Sequence, residues 1–348
     1  MEIKKVYLIH SKINTPEVLC NFLGIDINKL PFKMVVDRDE PDYLFCTFGI
    51  FSDSNDFKEL KALYHKAKVV ICLEGEAITP DFNIFDYAMG FDKTLEFGDR
   101  YCRIPTRSFF SSLISARRNE LENDFDGAKK ELTKKTDFCN FIYSNSLGHR
   151  KRKEIFDTIS TYKEVDSLGR YINNKRVPQK SVYGKSNWES IVRESIAIRK
   201  PYKFSISCEN ARFDGYTSEK IFSALTAHTV LIYWGNKYIV EEINPKAFVD
   251  CNKIHSDQEL IEVVRRIDED DELWCRMVSE PWMTERQLKR ETEDQEKLLK
   301  FFVSIFEQPL DRAKRRAEGS AEDIYVRWFF KQGRRSFSQI VNKILDKL

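Results

Sequence analysis

Apolar and polar residues alternate along Tyr202–Ser207, a run rich in β-formers, which predicts a strand. A polar turn, Cys208–Tyr216, follows, with Gly215 as a point of irregular backbone. Ile221, Phe222 and Leu225 then share one side of a predicted helix that starts near Thr217, a good N-cap residue. Thr229–Trp234 is a second short apolar strand, closed by Gly235. The stretch is a β-turn-α-β unit, and its polar residues gather where the first strand hands over to the helix.

The same pattern recurs upstream. Lys5–His10, Tyr43–Thr47 and Lys68–Leu73 predict strands, separated by helices over Glu17–Leu23 (Thr15 as N-cap, Pro16 as first residue) and Phe57–Ala67. Lys68–Leu73 is continuously apolar, as a parallel strand buried on both faces is. Such alternation predicts a parallel sheet covered by helices. The charged stretch Arg117–Lys135 predicts the end of a first domain, and Asp137–Asn145 the first strand of a second. A basic run, His149 to Lys153, opens a helix with Ile155, Phe156 and Ile159 inward. Ser186–Arg199, Asp257–Ile267, Met283–Phe306 and Asp311–Ala317 predict further helices. In a last amphipathic stretch, Phe337, Ile340, Ile344 and Leu348 form an apolar stripe opposite Arg334, Arg335, Lys343 and Lys347. The predicted organisation is residues 1–135, residues 136–310 and a basic tail, 311–348.

Composition narrows the class. A chain of 348 residues is long enough for two cores, and 42% hydrophobic with 32% charged residues fits a globular protein. A net charge of +2 gives no nucleic-acid signature. Positive charge is concentrated in Arg312–Leu348, with ten Lys or Arg against four Asp or Glu. That tail suits either an anionic membrane surface or packing across the two domains. Eight scattered cysteines without a CxxC pair predict a reduced protein with no zinc site. MEIKKVYLIH is too short and charged for a secretory signal, and no run reaches the length of a membrane span.

The candidate chemistry lies at strand ends. Open α/β sheets bind ligands beyond the carboxyl ends of their strands, and a helix N-terminus suits a diphosphate. Glu209, Asn210, Tyr216, Glu219 and Lys220 fall at such a point. Lys220 suits a phosphate and Glu219 sugar hydroxyls; a capped helix with solvated charges would carry the same residues. Beyond Lys68–Leu73 comes Glu74-Gly75-Glu76, where a carboxylate suits a general base and an acidic surface loop would read alike. The basic run at 149–153 opposes the helix dipole, a mismatch expected where an anion binds, and solvated surface lysines would look the same.

The wording of these stretches resembles the family 10 glycosyltransferases, the α1,3/1,4-fucosyltransferases. Glu209-Asn210, Gly215-Tyr216, Glu219-Lys220, Ala224 and Tyr233-Trp234-Gly235 match the family's donor motif at its spacing. Cys208, Ser218 and Leu231 depart from it, at positions where Phe, Thr and Pro are usual. Gly75 to Asp92 matches a second motif, and Asn244 to Val249 a third. The resemblance implies a GT-B fold, two facing Rossmann-like α/β domains with a cleft between them and C-terminal helices. It implies inverting transfer of L-fucose from GDP-β-L-fucose to N-acetylglucosamine of a Gal-GlcNAc glycan. Glu76 takes the role of catalytic base, with Glu74 the neighbour from which it must be distinguished. Arg152, with Arg150 as the alternative register, takes the diphosphate contact, and Asn210, Tyr216, Glu219 and Lys220 complete the donor site. No cofactor or protein-bound metal is implied. Lacking the N-terminal anchor of the animal Golgi members, the chain resembles the bacterial, cytoplasmic type, peripheral to the inner membrane face if its tail binds there. Another nucleotide sugar, an α1,4 linkage, or an inactive glycan- or membrane-binding module stay as alternatives.

Overall fold

The structure, a computed structural model, describes residues 1–9, 15–47, 54–105, 119–176 and 188–332. In chain order the elements begin with β1 (Glu2–Ile9), α1 (Pro16–Phe22), β2 (Phe32–Val36), β3 (Tyr43–Thr47), α2 (Ser54–Leu63), β4 (Val69–Leu73), β5 (Tyr87–Gly90) and β6 (Tyr101–Arg103). There follow α3 (Phe125–Leu132), β7 (Asp137–Phe141), α4 (Lys151–Ser160), β8 (Val165–Ser167), α5 (Trp188–Arg199), β9 (Tyr202–Cys208), α6 (Glu219–Thr226), β10 (Val230–Trp234) and β11 (Phe248–Asp250). Helices α7 (Asp257–Glu269), α8 (Asp271–Val278), α9 (Glu285–Glu307), α10 (Leu310–Ala313) and α11 (Ser320–Gln332) complete it.

The chain divides into two compact units, Met1–Ser112 with Thr292–Leu348, and Leu113–Glu291. This differs from a second domain running over 136–310. The reason is α9: Leu298, Phe302, Ile305 and Phe306 lie on one stripe and join the core of the first unit. The Phe306 ring centroid is 4.6 Å from that of Phe32 and 4.3 Å from that of Tyr43. Further along, the backbone N–H groups of Arg315 and Arg316 donate to the buried Asp86 carboxylate, which also accepts from the Val70 N–H. The Arg316 guanidinium pairs with Asp86 at 3.0 Å. These contacts make the segment after α10 part of the first unit.

Each unit has its own parallel sheet. The first has the order β2-β1-β3-β4-β5-β6, and every residue of β4 is buried, as its unbroken apolar run requires. The second has the order β11-β10-β9-β7-β8, again all parallel. Here the chain moves outward from β7 to β8, then returns to the other side of β7 to lay down β9. Strand order therefore reverses between β7 and β9, and the carboxyl ends of those two strands flank the crevice where doubly wound sheets bind ligands.

The helix after β9 begins one residue later than its sequence predicts. Ser218, not Thr217, is the N-cap residue, because the Thr217 hydroxyl is taken by Glu242 at 3.2 Å. The stripe from Phe337 to Leu348 lies outside the described residues. Among the described residues no helix is long and apolar enough to cross a membrane.

Candidate active site

The reversal point of the second sheet is built from two loops. After β9, the Asn210 carbonyl accepts the His149 N–H at 2.8 Å, which pins the β9–α6 loop to the β7–α4 loop. Arg152, on the first turn of α4, is 2% exposed and donates to the Asn210 side-chain oxygen. Its guanidinium stacks on the Tyr143 ring, 4.3 Å from the centroid, and Gly148 leaves the room it needs, since a Cβ there would overlap it. Tyr143 is itself fixed: its hydroxyl accepts the Cys208 N–H at 2.5 Å and donates to the Cys208 carbonyl at 3.1 Å. The Arg152 Nε is buried without a hydrogen-bond partner among the described residues. A buried cation with a spare donor is the arrangement an anionic ligand completes. Arg150, by contrast, is exposed and pairs with Glu154 at 3.3 Å, so Arg152 is the arginine that reaches Asn210.

At the start of α6, Lys220 donates to the Ser218 hydroxyl at 2.9 Å and lies 3.6 Å from Glu209 and 3.5 Å from Glu219. Glu209 is fully buried. It accepts the Ser218 N–H at 2.8 Å and the Ser218 hydroxyl at 2.6 Å, and burial pushes its carboxyl above the usual range. From just past the preceding strand, Glu209 thus fixes the N-cap residue of α6 through both its N–H and its hydroxyl. Tyr216 is buried in the loop between them. Asn236 holds this loop by accepting the Gly215 N–H at 2.9 Å and donating to Thr217 at 3.1 Å. Neither Asn236 nor Tyr143 is marked by the sequence motifs; the available signal is a polar atom placed directly after an apolar strand. Arg152 and Asn210 are thus in contact, as are Glu219 and Lys220, with Tyr216 on the same loop.

Glu76 belongs to the first unit, in the loop after β4, where its side chain is exposed. Glu74 is its opposite. It is 2% exposed, and its Oε1 accepts the Glu76 N–H at 3.0 Å. Burial, with the negative Glu76 adding to it, pushes the Glu74 carboxyl up to about 8, against the pull of the backbone N–H groups. A cavity of about 360 Å³ in this unit, lined by Lys61, His65 and residues of α11, contains none of these groups. Among the described residues no group of three or more His, Cys, Asp or Glu is placed to hold a metal ion.

Comparison with known proteins gives this geometry a context. Residues 132–317, more than half of the chain, match the model of the C-terminal part of glycosyltransferase family 10 (fucosyltransferase), and residues 20–110 match the alpha-(1,3)-fucosyltransferase FucT N-terminal domain. The alpha-(1,3)-fucosyltransferase FucT of Helicobacter pylori is 27% identical over 259 residues, covering 63% of this chain and 50% of that protein. An alpha-(1,4)-fucosyltransferase of Arabidopsis thaliana is 36% identical over 143 residues, 36% of this chain and 33% of that protein. The chain thus spans half or less of the length of these relatives. A crystal structure of an alpha1,3-fucosyltransferase superposes with a TM-score of 0.67 at 21% identity, covering 89% of this chain and 92% of that one. A second, with GDP-fucose, gives 0.62 at 20% identity over 88% and 92%. The fold is of the GT-B type, α/β with two parallel sheets. With both family models matched in order along one sequence, this chain belongs to glycosyltransferase family 10, the fucosyltransferases.

Proposed function

We propose that the chain transfers L-fucose from GDP-β-L-fucose to O3 of N-acetylglucosamine in a lactosamine-type, Gal-GlcNAc glycan, inverting the anomeric carbon. The observation that carries this reading is the buried Arg152, stacked on Tyr143, bonded to Asn210 and left with a spare donor at the reversal point of the second sheet. Such a cation suits the diphosphate of a nucleotide sugar. Glu76 takes the proton of the acceptor hydroxyl as its oxygen bonds to the anomeric carbon. The bond from that carbon to the diphosphate oxygen breaks, and GDP leaves with the electron pair. Arg152 and Lys220 stabilise the charge that grows on the leaving group, while Asn210, Tyr216 and Glu219 shape the donor site.

The test is transfer from GDP-fucose to N-acetyllactosamine, followed by NMR of the product. An α1,3-linked fucose, formed at an unchanged rate in EDTA because the cations in this scheme are side chains, is the expected result. Transfer to Gal-β1,3-GlcNAc, where only O4 of the N-acetylglucosamine is open to this linkage, but not to N-acetyllactosamine overturns the linkage, and transfer only from another nucleotide sugar overturns the donor. GDP binding with no transfer to any acceptor identifies a binding module instead.

A further inference from the structure

Glu74 stands two residues before Glu76, at the end of the fully buried strand β4, and no step of the transfer scheme uses it. Carboxylates at such positions are ordinarily hydrated. This one is enclosed, and three features hold it there. Its own N–H donates to the Met89 carbonyl on β5 at 2.7 Å, so the backbone continues the sheet contact one residue past β4. Its side chain lies against Gly90, where any Cβ would come within 2.8 Å of the Glu74 Cβ. Its Oε1 then reaches forward to the Glu76 N–H, and the Glu76 carbonyl in turn accepts the Ile78 N–H at 2.9 Å. The loop that presents Glu76 is therefore folded over the Glu74 side chain.

We propose that Glu74 is the positioning residue for Glu76: its enclosed carboxyl fixes the backbone from which Glu76 projects. This inference rests on reading Glu76 as the base. The titratable groups around Glu74 are Glu76 on its own loop, Cys72 on β4 with its Sγ 4.0 Å from Oε2, Cys46 on β3 and Tyr101 on β6. Burial raises both thiols and the phenol, so they stay neutral while Glu74 titrates. Ionising Glu74 places a carboxylate in a dry site beside Glu76, with no cation among the groups that shift it. The carboxylate then gains by turning out to water, which releases the Glu76 N–H.

Wild type, Glu74→Gln, Glu74→Ala and Glu76→Gln, assayed for fucosyl transfer at saturating donor from pH 6 to 10 with GDP affinity measured alongside, test this directly. Glu74→Ala is expected to lose on the order of 100-fold in kcat, the usual effect of misplacing a reacting group by about 1 Å, with GDP affinity within twofold of wild type. Glu74→Gln keeps the acceptor oxygen and rescues kcat. Wild-type kcat falls above a pH of about 8, where Glu74 ionises, while the Gln variant does not follow that fall. Stability supplies a second readout. A carboxyl raised from 4.5 to about 8 on folding binds more protons folded than unfolded between those values, so its contribution declines as pH rises through that window. Denaturant unfolding of Glu74→Gln, compared with wild type, lacks this decline. Wild-type kcat in Glu74→Ala, or one shared alkaline limb for wild type and Glu74→Gln, overturns the proposal. If Glu74→Ala does not fold, the pH profile of the Gln variant decides. Full activity in Glu76→Gln overturns the base itself, an outcome separate from any result at Glu74.

Discussion

In the proposed transfer Arg152 carries the donor half of the chemistry, and its surroundings leave it little freedom. The Tyr143 face, the Asn210 oxygen and the space above Gly148 fix the plane of the guanidinium, so its free donor is aimed before a ligand arrives. Preorganised charge of this kind typically contributes about 3 kcal/mol to a transition state. Arg152→Ala is therefore expected to lower kcat/KM about 100-fold. Lysine keeps the charge but neither stacks nor forks, so Arg152→Lys is expected to stay nearer to the alanine variant than to wild type. Full activity in the lysine variant would show that charge alone matters. The electrostatic mismatch at the start of α4 marks the basic run, and the resemblance to the family singles out Arg152 within it, with Arg150 as the alternative register. What the sequence does not reveal is which arginine is buried, because that depends on Tyr143, nine residues away in the loop after β7. Glu209 shows the same limit. Its place in the motif makes it look like a ligand residue, yet its side chain fixes the N-cap residue of α6, and only the fold brings its two oxygens to Ser218.

At the scale of elements, apolar or alternating runs were enough to predict β1, β3, β4, β7, β9 and β10. The short strands β2, β5, β6 and β8, of three to five residues, have no such signal. Their extended state comes from pairing with a neighbour, which is tertiary information. Helix α11 falls within the tail read as helical, but its bounds and inward residues were not legible for a related reason: Val326 and Phe330 are apolar sites in a charged tail until they join a core with Phe57, Leu60 and Tyr64. The turn after β10 is a case where local chemistry can be tested. Gly235 has φ +156°, and a Cβ on it would meet the Glu209 Cγ at 2.5 Å. Gly235→Ala must therefore push away the carboxylate that fixes the N-cap residue of α6. Overpacking of this sort costs about 1–3 kcal/mol, and the displaced carboxylate disturbs the Ser218–Lys220 contacts. The expected result is a lower melting temperature together with weaker GDP binding in titration calorimetry. A variant with unchanged melting and unchanged GDP affinity would separate the Glu209 contacts from the donor site.

At the scale of the whole molecule, the chain builds one parallel sheet in each of two units, and the proposed transfer draws on residues of both. The second unit supplies the buried cation and the start of α6; the first supplies the acidic loop after β4. The two-sheet α/β plan is legible in the sequence because strand and helix periods alternate throughout. The division between units is less so, since α9 is one continuous helix whose Leu298, Phe302, Ile305 and Phe306 belong to the N-terminal core. No composition shift marks that change of allegiance. In the proposed transfer Glu76 removes the acceptor proton while the second unit holds the donor. Single-turnover transfer by wild type and Glu76→Gln, with the GDP dissociation constant measured on the same preparations, tests it most directly. Transfer reduced at least 100-fold in Glu76→Gln, as follows from the loss of a general base, with GDP affinity unchanged, is the expected result. Transfer at the wild-type rate would contradict it, and the base would have to be sought elsewhere.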